Sequence, residues 1–287
     1  MKENLEGKVC LITGATNGIG EEAAKEIGLM GADICFIARN NEKAEDLKKT
    51  LESLTGREAT AIIADLSSQS EVKKAAGEFL ALNKPLHILL NNAGIMNTSR
   101  KETVDGFEEV FSVNHLAYYS LTLMLMNKLM ENGPSRIVNV ASGAHQFVKD
   151  MNFEDLQSEK EYKTMKVYGQ SKLANILFTR ELSKRIKNRQ VTVNCLHPGF
   201  VDTGIGSNNR PTLGRILMTL AKPFSRKTDQ GAETSIYLCT SPDVETVSGE
   251  YFYDCKIEKI SKAAKNEESA AKLWSISSQL TGIDLLD

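Results

Sequence analysis

Val9-Cys10-Leu11-Ile12-Thr13-Gly14-Ala15-Thr16-Asn17-Gly18-Ile19-Gly20 decides how the chain begins. A short β-forming run passes straight into three glycines, and an apolar helical period opens behind them, from about Ile19 to Met30. A second strand-like run, Asp33 to Ala38, follows and completes a βαβ unit. Gly14 permits a sharp turn, Gly18 lets backbone approach a ligand, and Gly20 allows a helix to pack closely on a strand. The helix N-terminus adds free amides and a partial positive charge, which suits a pyrophosphate. Three glycines alone would signal only a strand-to-helix turn; inside a βαβ unit they form a dinucleotide fingerprint.

The same alternation continues. A helix is predicted near Asn41 to Leu54, a strand at Thr60 to Ala64, a helix at Gln69 to Leu82 and a strand at His87 to Asn91. Long apolar-periodic segments at about Asp105 to Met130 and Met165 to Asn188 bracket the strand Arg136 to Ala141. Val191 to Leu196 and Glu250 to Asp254 are the last strands, and a helical extension is expected near 266–281. Strands alternating with helices imply an α/β fold: a single Rossmann-type, doubly wound parallel sheet of about seven strands with helices on both faces. No linker or repeat divides the 287 residues, so one domain is expected. Two stretches break the rhythm, 144–164 and 201–228, and both follow strand ends, where α/β sheets bind ligands. Leu213, Ile216, Leu217, Met218 and Leu220 form an apolar face in the second. It reads as a substrate lid, with a subunit contact or a membrane-surface contact as alternatives.

Composition excludes several classes. With 41% hydrophobic and 25% charged residues the chain is globular, and 35 basic against 37 acidic residues give no field that favours nucleic acid. The N-terminal residues 1–8 are polar and charged, and no apolar run approaches the roughly 20 residues of a membrane span, so a cytoplasmic protein is expected. Five widely spaced cysteines show no zinc spacing and read as reduced, mostly buried thiols.

The second strand ends Ile37-Ala38-Arg39-Asn40, where an acidic residue would otherwise meet a ribose 2′-hydroxyl. A guanidinium there suits a 2′-phosphate, so NADP(H) is the cofactor expected, unless Arg39 is only a solvated loop residue. Asp65 and Leu66, at the end of the third strand, are placed to meet the adenine; a helix N-cap at Asp65 would read the same way.

Two Tyr-x-x-x-Lys spacings occur, Tyr162 to Lys166 and Tyr168 to Lys172. The spacing puts phenol and ammonium on one helical face, and a nearby cation is what a tyrosine needs to exchange a proton near neutral pH. Six residues rotate one pair roughly 120° from the other, so both cannot serve one site. Tyr162 lies in a charged stretch, whereas Lys172 is followed by Leu173, Ala174 and Asn175, suited to packing beneath a cofactor; Tyr168 and Lys172 are the chosen pair.

Thr13 to Gly20, Asn91-Asn92-Ala93-Gly94, Ser142, Tyr168 to Lys172 and Pro198-Gly199, in this order and over nearly the whole chain, resemble the motif set of the short-chain dehydrogenase/reductase family. Val113 to Leu116, Arg136 to Val140, Ser171 to Asn175, Leu196 to Gly199 and Tyr251 to Cys255 resemble its retinol dehydrogenase branch. The 26-residue interval from Ser142 to Tyr168 is a further likeness. The resemblance implies an NADP(H)-dependent oxidoreductase of a hydrophobic carbonyl or alcohol, retinal-like or another lipid aldehyde or ketone. Tyr168 would be the general acid/base, Lys172 would lower its pKa and hold the nicotinamide ribose, Ser142 would hydrogen-bond the carbonyl oxygen, and Asn114 would hold a water linking Lys172 to solvent. Gly14, Thr16, Asn17, Gly18, Ile19 and Gly20 would cradle the pyrophosphate, with Arg39, Asn40, Asp65 and Leu66 at the adenosine end. Asn91, Ala93 and Gly94 would line the adenosine side, and Pro198, Gly199, Val201 and Thr203 the nicotinamide side. A homodimer or homotetramer would fit the family. The alternatives are a catalytically idle NADP(H) sensor and an interaction scaffold. His115, His145 and His197 read as structural or pocket-lining, and Trp274 as a packing anchor.

Overall fold

The computed structural model describes residues 4–187, 190–199 and 227–285. Its first half is the alternation read from the sequence: β1 (Val9–Thr13), α1 (Gly18–Leu29), β2 (Asp33–Ala38), α2 (Asn41–Thr55), β3 (Thr60–Ile63), α3 (Gln69–Ala81) and β4 (Ile88–Asn91). The caps explain the boundaries. Asn40 accepts a hydrogen bond from Lys43 N at 2.8 Å to open α2, and Gly56 closes that helix in the left-handed conformation.

The segment after β4 departs from the sequence reading. Helix was expected from Asp105, but Gly106 has φ +79 and closes a turn onto the Thr103 carbonyl. The helical path opens only where the Glu108 carboxylate accepts from Val110 N and Phe111 N, at 2.9 and 2.7 Å. It then runs through α4 (Glu109–Phe111), a π-helical turn (Ser112–Leu116), α5 (Ala117–Met124) and α6 (Met126–Glu131).

β5 (Ser135–Val140), α7 (Thr164–Arg185), β6 (Val191–Leu196), α8 (Thr228–Thr240), β7 (Tyr251–Tyr253), β8 (Lys256–Ile257) and α9 (Glu267–Thr281) complete the described elements. One sheet holds all eight strands in the order β3-β2-β1-β4-β5-β6-β7-β8. It is parallel from β3 to β7, while β8 returns antiparallel beside β7. That eighth strand, and the end of β7 at Tyr253, come from a tight turn in which Asp254 and Cys255 both have positive φ.

Side chains alternate across the sheet, so each strand feeds two cores. Cys10, Ile12, Ile34 and Phe36 pack with α1, α2 and α8 on one face. Val9, Leu11, Cys35 and Ile37 face α3, α5 and α7 on the other. Strand order reverses between β1 and β4, and a crevice opens outside their carboxyl ends. On the outer side of α7, α9 lays Trp274 against Phe178 and Tyr119, with centroids 5.9 and 5.1 Å apart. The Arg185 guanidinium covers Trp274 at 4.3 Å, and the indole N–H donates to Asp284 at 2.9 Å. Trp274 is therefore the packing anchor that its position in the sequence suggested.

Trp274→Ala should cost about 3–5 kcal/mol of stability, read from the denaturant midpoint of the purified protein. A loss below about 1 kcal/mol would show that α9 does not depend on the indole.

Candidate active site

Between β1 and α1 the chain turns at Gly14, which has φ +68; a methyl group there would stand 2.9 Å from Ala93 Cα. Gly20 is equally constrained, because a Cβ would overlap the Gly14 carbonyl and the Asn92 amide. The Asn17 side chain caps nothing, so the first amides of α1 keep their donors for an anion. Gly14, Thr16, Asn17, Gly18 and Gly20 line this turn through backbone or short side chains; Ile19 is buried and can contribute only main chain.

The turn is pinned to the neighbouring strand end by residues that the sequence reading passed over. Thr13 Oγ1 accepts from Asn92 N and Ala93 N at 2.9 and 3.0 Å, and the Asn92 amide donates to the Thr13 and Gly14 carbonyls. The available signal was a polar residue at the end of each of two strands that become neighbours. Asn91, by contrast, is fully buried. Its amide donates to Thr122 Oγ1 and Asn139 Oδ1, both at 2.9 Å, so its side chain braces β4 and β5 and does not line the crevice.

Arg39 is exposed at the end of β2 and makes no ion pair or hydrogen bond among the described residues. Asn40 spends its oxygen as the α2 cap. Asp65 Oδ1 accepts from Ser67 N at 2.9 Å, a local turn, and the cap of α3 is Ser68, so the N-cap alternative for Asp65 is set aside. Leu66 is buried beside it. Pro198 and Gly199 are half-buried past the end of β6, where Gly199 N donates to His197 Nδ1 at 3.2 Å. Val201, Thr203 and the 201–226 part of the expected lid lie outside the described residues.

At the end of β5 the tyrosine, serine and lysine come together. Ser142 follows the strand; its Oγ accepts from Ala144 N at 3.1 Å, and its hydroxyl is close enough to Tyr168 to favour the phenolate. Lys172, one turn after Tyr168 on α7, is buried with Nζ 5.7 Å from the Tyr168 ring and 5.8 Å from that of Tyr118. Its ammonium has one hydrogen bond among the described residues, to the Val140 carbonyl at 2.9 Å, and a Cβ on Gly94 would lie 3.3 Å from it. The rival pair does not form. Tyr162 lies before α7 begins and donates to the Asn97 carbonyl, while Lys166 is exposed and paired with Glu161.

Asn114 sits in the π-helical turn, fully buried. Its amide donates to Ile95 O at 3.0 Å and Ser171 Oγ at 2.9 Å, and its oxygen accepts from Ile95 N at 2.8 Å. Ser171 in turn donates to the Tyr168 carbonyl. Both amide hydrogens are thus spent on cross-linking the loop after β4 to α7, and only the Asn114 oxygen could accept from a water.

The electrostatics modify one expectation. Burial raises the Tyr168 phenol above its ordinary value, and the Ser142 hydrogen bond is what opposes it. Burial also pushes Lys172 down to about 7. In the protein alone, then, the Ser142 side chain opposes the effect of burial on Tyr168.

The short chain dehydrogenase family model matches residues 8–214. Mouse retinol dehydrogenase 12 is 42% identical over 280 residues, covering 97% of this chain and 88% of its own length. Human retinol dehydrogenase 11 is 40% identical, covering 98% and 88%. Among solved structures, a short chain dehydrogenase from Burkholderia cenocepacia J2315 in complex with NADP has a TM-score of 0.69 at 26% identity, covering 92% of this chain and all of its own. A blue fluorescent protein from a metagenomic library in complex with NADPH has a TM-score of 0.70 at 27% identity, covering 87% and 97%. The chain belongs to the short-chain dehydrogenase family of oxidoreductases. Within that family it falls in the retinol dehydrogenase-like branch.

A lysine lowered from about 10.5 to about 7 makes the unfolded chain bind the extra proton between those pH values. Its cost to the fold is full below pH 7 and fades as pH rises toward 10.5. Lys172→Met should therefore raise the melting temperature of the cofactor-free protein at pH 6, with the gain shrinking by pH 10. An equal shift at both pH values would show that the lysine pays no such penalty.

Proposed function

We propose that the protein is an NADP(H)-dependent oxidoreductase that transfers hydride between nicotinamide and a hydrophobic aldehyde, ketone or alcohol, with Tyr168 as general acid/base. The observation that carries this reading is the convergence of Tyr168, Ser142 and Lys172 after β5, with the Lys172 ammonium 5.7 Å from the centre of the Tyr168 ring and Ser142 close enough to lower the phenol's pKa. The nicotinamide, when bound, supplies or accepts the hydride. In carbonyl reduction Tyr168 gives its proton to the substrate oxygen, and in alcohol oxidation it takes one back. The Ser142 hydroxyl donates to the same oxygen and stabilises its negative charge. Lys172 has donors to spare beyond its bond to Val140 O and would hold the nicotinamide ribose hydroxyls. Asn114 keeps Tyr168 and Lys172 in register by bonding Ser171 between them.

The uncapped start of α1 and the Gly14 turn support pyrophosphate binding there. Ala93, Gly94, Asp65 and Leu66 border the adenosine end, and Pro198 and Gly199 the nicotinamide end. NADP(H) is favoured over NAD(H) because Arg39 is exposed and has no partner among the described residues, where a carboxylate would exclude a 2′-phosphate. A hydrophobic substrate is supported by two apolar side chains close in sequence to the catalytic hydroxyls: Phe147, 68% exposed, and Met165, 48% exposed. The retinol dehydrogenase relatives agree with that class. No helix among the described residues is long and apolar enough to cross a membrane.

Purified protein should oxidise NADPH in the presence of a long-chain or retinoid aldehyde. Tyr168→Phe should lower kcat by about 100-fold or more, with the NADPH dissociation constant unchanged. Wild-type turnover in that variant would refute the assignment. Arg39→Asp should move the NADPH-to-NADH ratio of kcat/KM toward NADH by about tenfold or more; an unchanged ratio would show that Arg39 only faces solvent.

A further inference from the structure

We infer that His145 is a positioning residue for the proposed reaction, holding Ser142 in place through an imidazole fixed in one tautomer; this rests on the roles given above to Ser142 and Tyr168. Ser142 opens the 3-10 turn Gly143–Phe147, and its carbonyl oxygen receives two hydrogen bonds from one residue, His145 N at 3.2 Å and His145 Nδ1 at 2.8 Å. A carbonyl only accepts, so Nδ1 carries the hydrogen and Nε2 is the bare nitrogen of a neutral ring. The Ser142 carbonyl is held by His145 and its Oγ by Ala144 N, so both polar groups of the serine are anchored.

The ring is itself held. His145 is fully buried, and its edge meets Tyr251 of β7 at 5.2 Å and 73°. Tyr251 is stacked by His197 at 5.6 Å, and His197 lies flat on Tyr253 at 4.1 Å and 9°. The ends of β5, β6 and β7 are thereby joined by one aromatic column of His145, Tyr251, His197 and Tyr253.

A residue present only to fill space here would be apolar. His145 Nε2 and the Tyr251 hydroxyl are both buried without a protein partner among the described residues. Each such group costs about 1–3 kcal/mol, a penalty that leucine or phenylalanine would avoid. Burial also lowers the basicity of His145, with the Ser142 carbonyl partly offsetting it, so the ring stays neutral and acts through Ser142.

The test compares wild type, Tyr168→Phe, His145→Leu, His145→Asn and His145→Gln in alcohol oxidation with NADP+, measuring kcat, NADPH affinity by fluorescence, and the pH profile of kcat. Tyr168 is faced by Lys172 of its own helix, Tyr118 of α5 and Ser142 after β5, so the acid limb reports the phenol in that setting. Asparagine can place an N–H where Nδ1 stands; leucine cannot, and glutamine places it one bond too far. His145→Leu should lower kcat about tenfold with NADPH affinity kept, the worth of roughly one hydrogen bond. Its acid limb should move to higher pH, because a wandering Ser142 no longer favours the phenolate. His145→Asn should restore most of both losses. A folded His145→Leu with kcat within about twofold of wild type and an unmoved limb would overturn the inference. Should that variant not fold, the remaining pair decides: Asn better than Gln supports the inference, and equal kcat and equal limbs overturn it. Wild-type turnover in Tyr168→Phe would instead overturn the proposed function itself.

Discussion

An ammonium group buried at the end of a sheet is costly unless its surroundings supply acceptors, and among the described residues Lys172 has one, the Val140 carbonyl. The rest of the site is arranged around that charge. Gly94 has no side chain to crowd it, Tyr118 and Tyr168 turn their rings toward it, and Asn114 ties its helix to the loop after β4 through Ser171. If Lys172 works in the proposed reaction, stability and activity are opposed at this position, as is common where a charged group must be dry to act.

The proton on Tyr168 follows from the same arrangement. Burial favours the neutral phenol, Ser142 favours the phenolate, and a lysine pushed down to about 7 carries only part of its charge near neutral pH. The free protein therefore keeps the phenol protonated. In the proposed reaction an oxidised nicotinamide beside Tyr168 would add positive charge and couple proton transfer to the cofactor's state.

Much of this was legible in the sequence because it depends on local chemistry. The glycine turn, the helix behind it and the βαβ order follow from side-chain period and backbone sterics, and the structure has them within a residue or two. The choice of Tyr168 over Tyr162 also rested on local composition, and the structure places only Tyr168 on α7. What could not be read depends on partners distant in the chain. Asn91 and Asn92 are adjacent and alike, yet one points into the core toward Thr122 and the other clamps Gly14, and only the pleat of β4 separates them. The late start of α4 depends on the Glu108 carboxylate taking the amides of Val110 and Phe111, and the contact of His145 with Tyr251 joins elements more than a hundred residues apart.

The most direct test is a titration of Tyr168 by carbon NMR of ring-labelled tyrosine, assigned with Tyr168→Phe, in the free protein and with NADP+. Tyr168 should titrate above the ordinary tyrosine value near 10 when the protein is free and at clearly lower pH when NADP+ is bound. The same titration pH in both states would contradict the account.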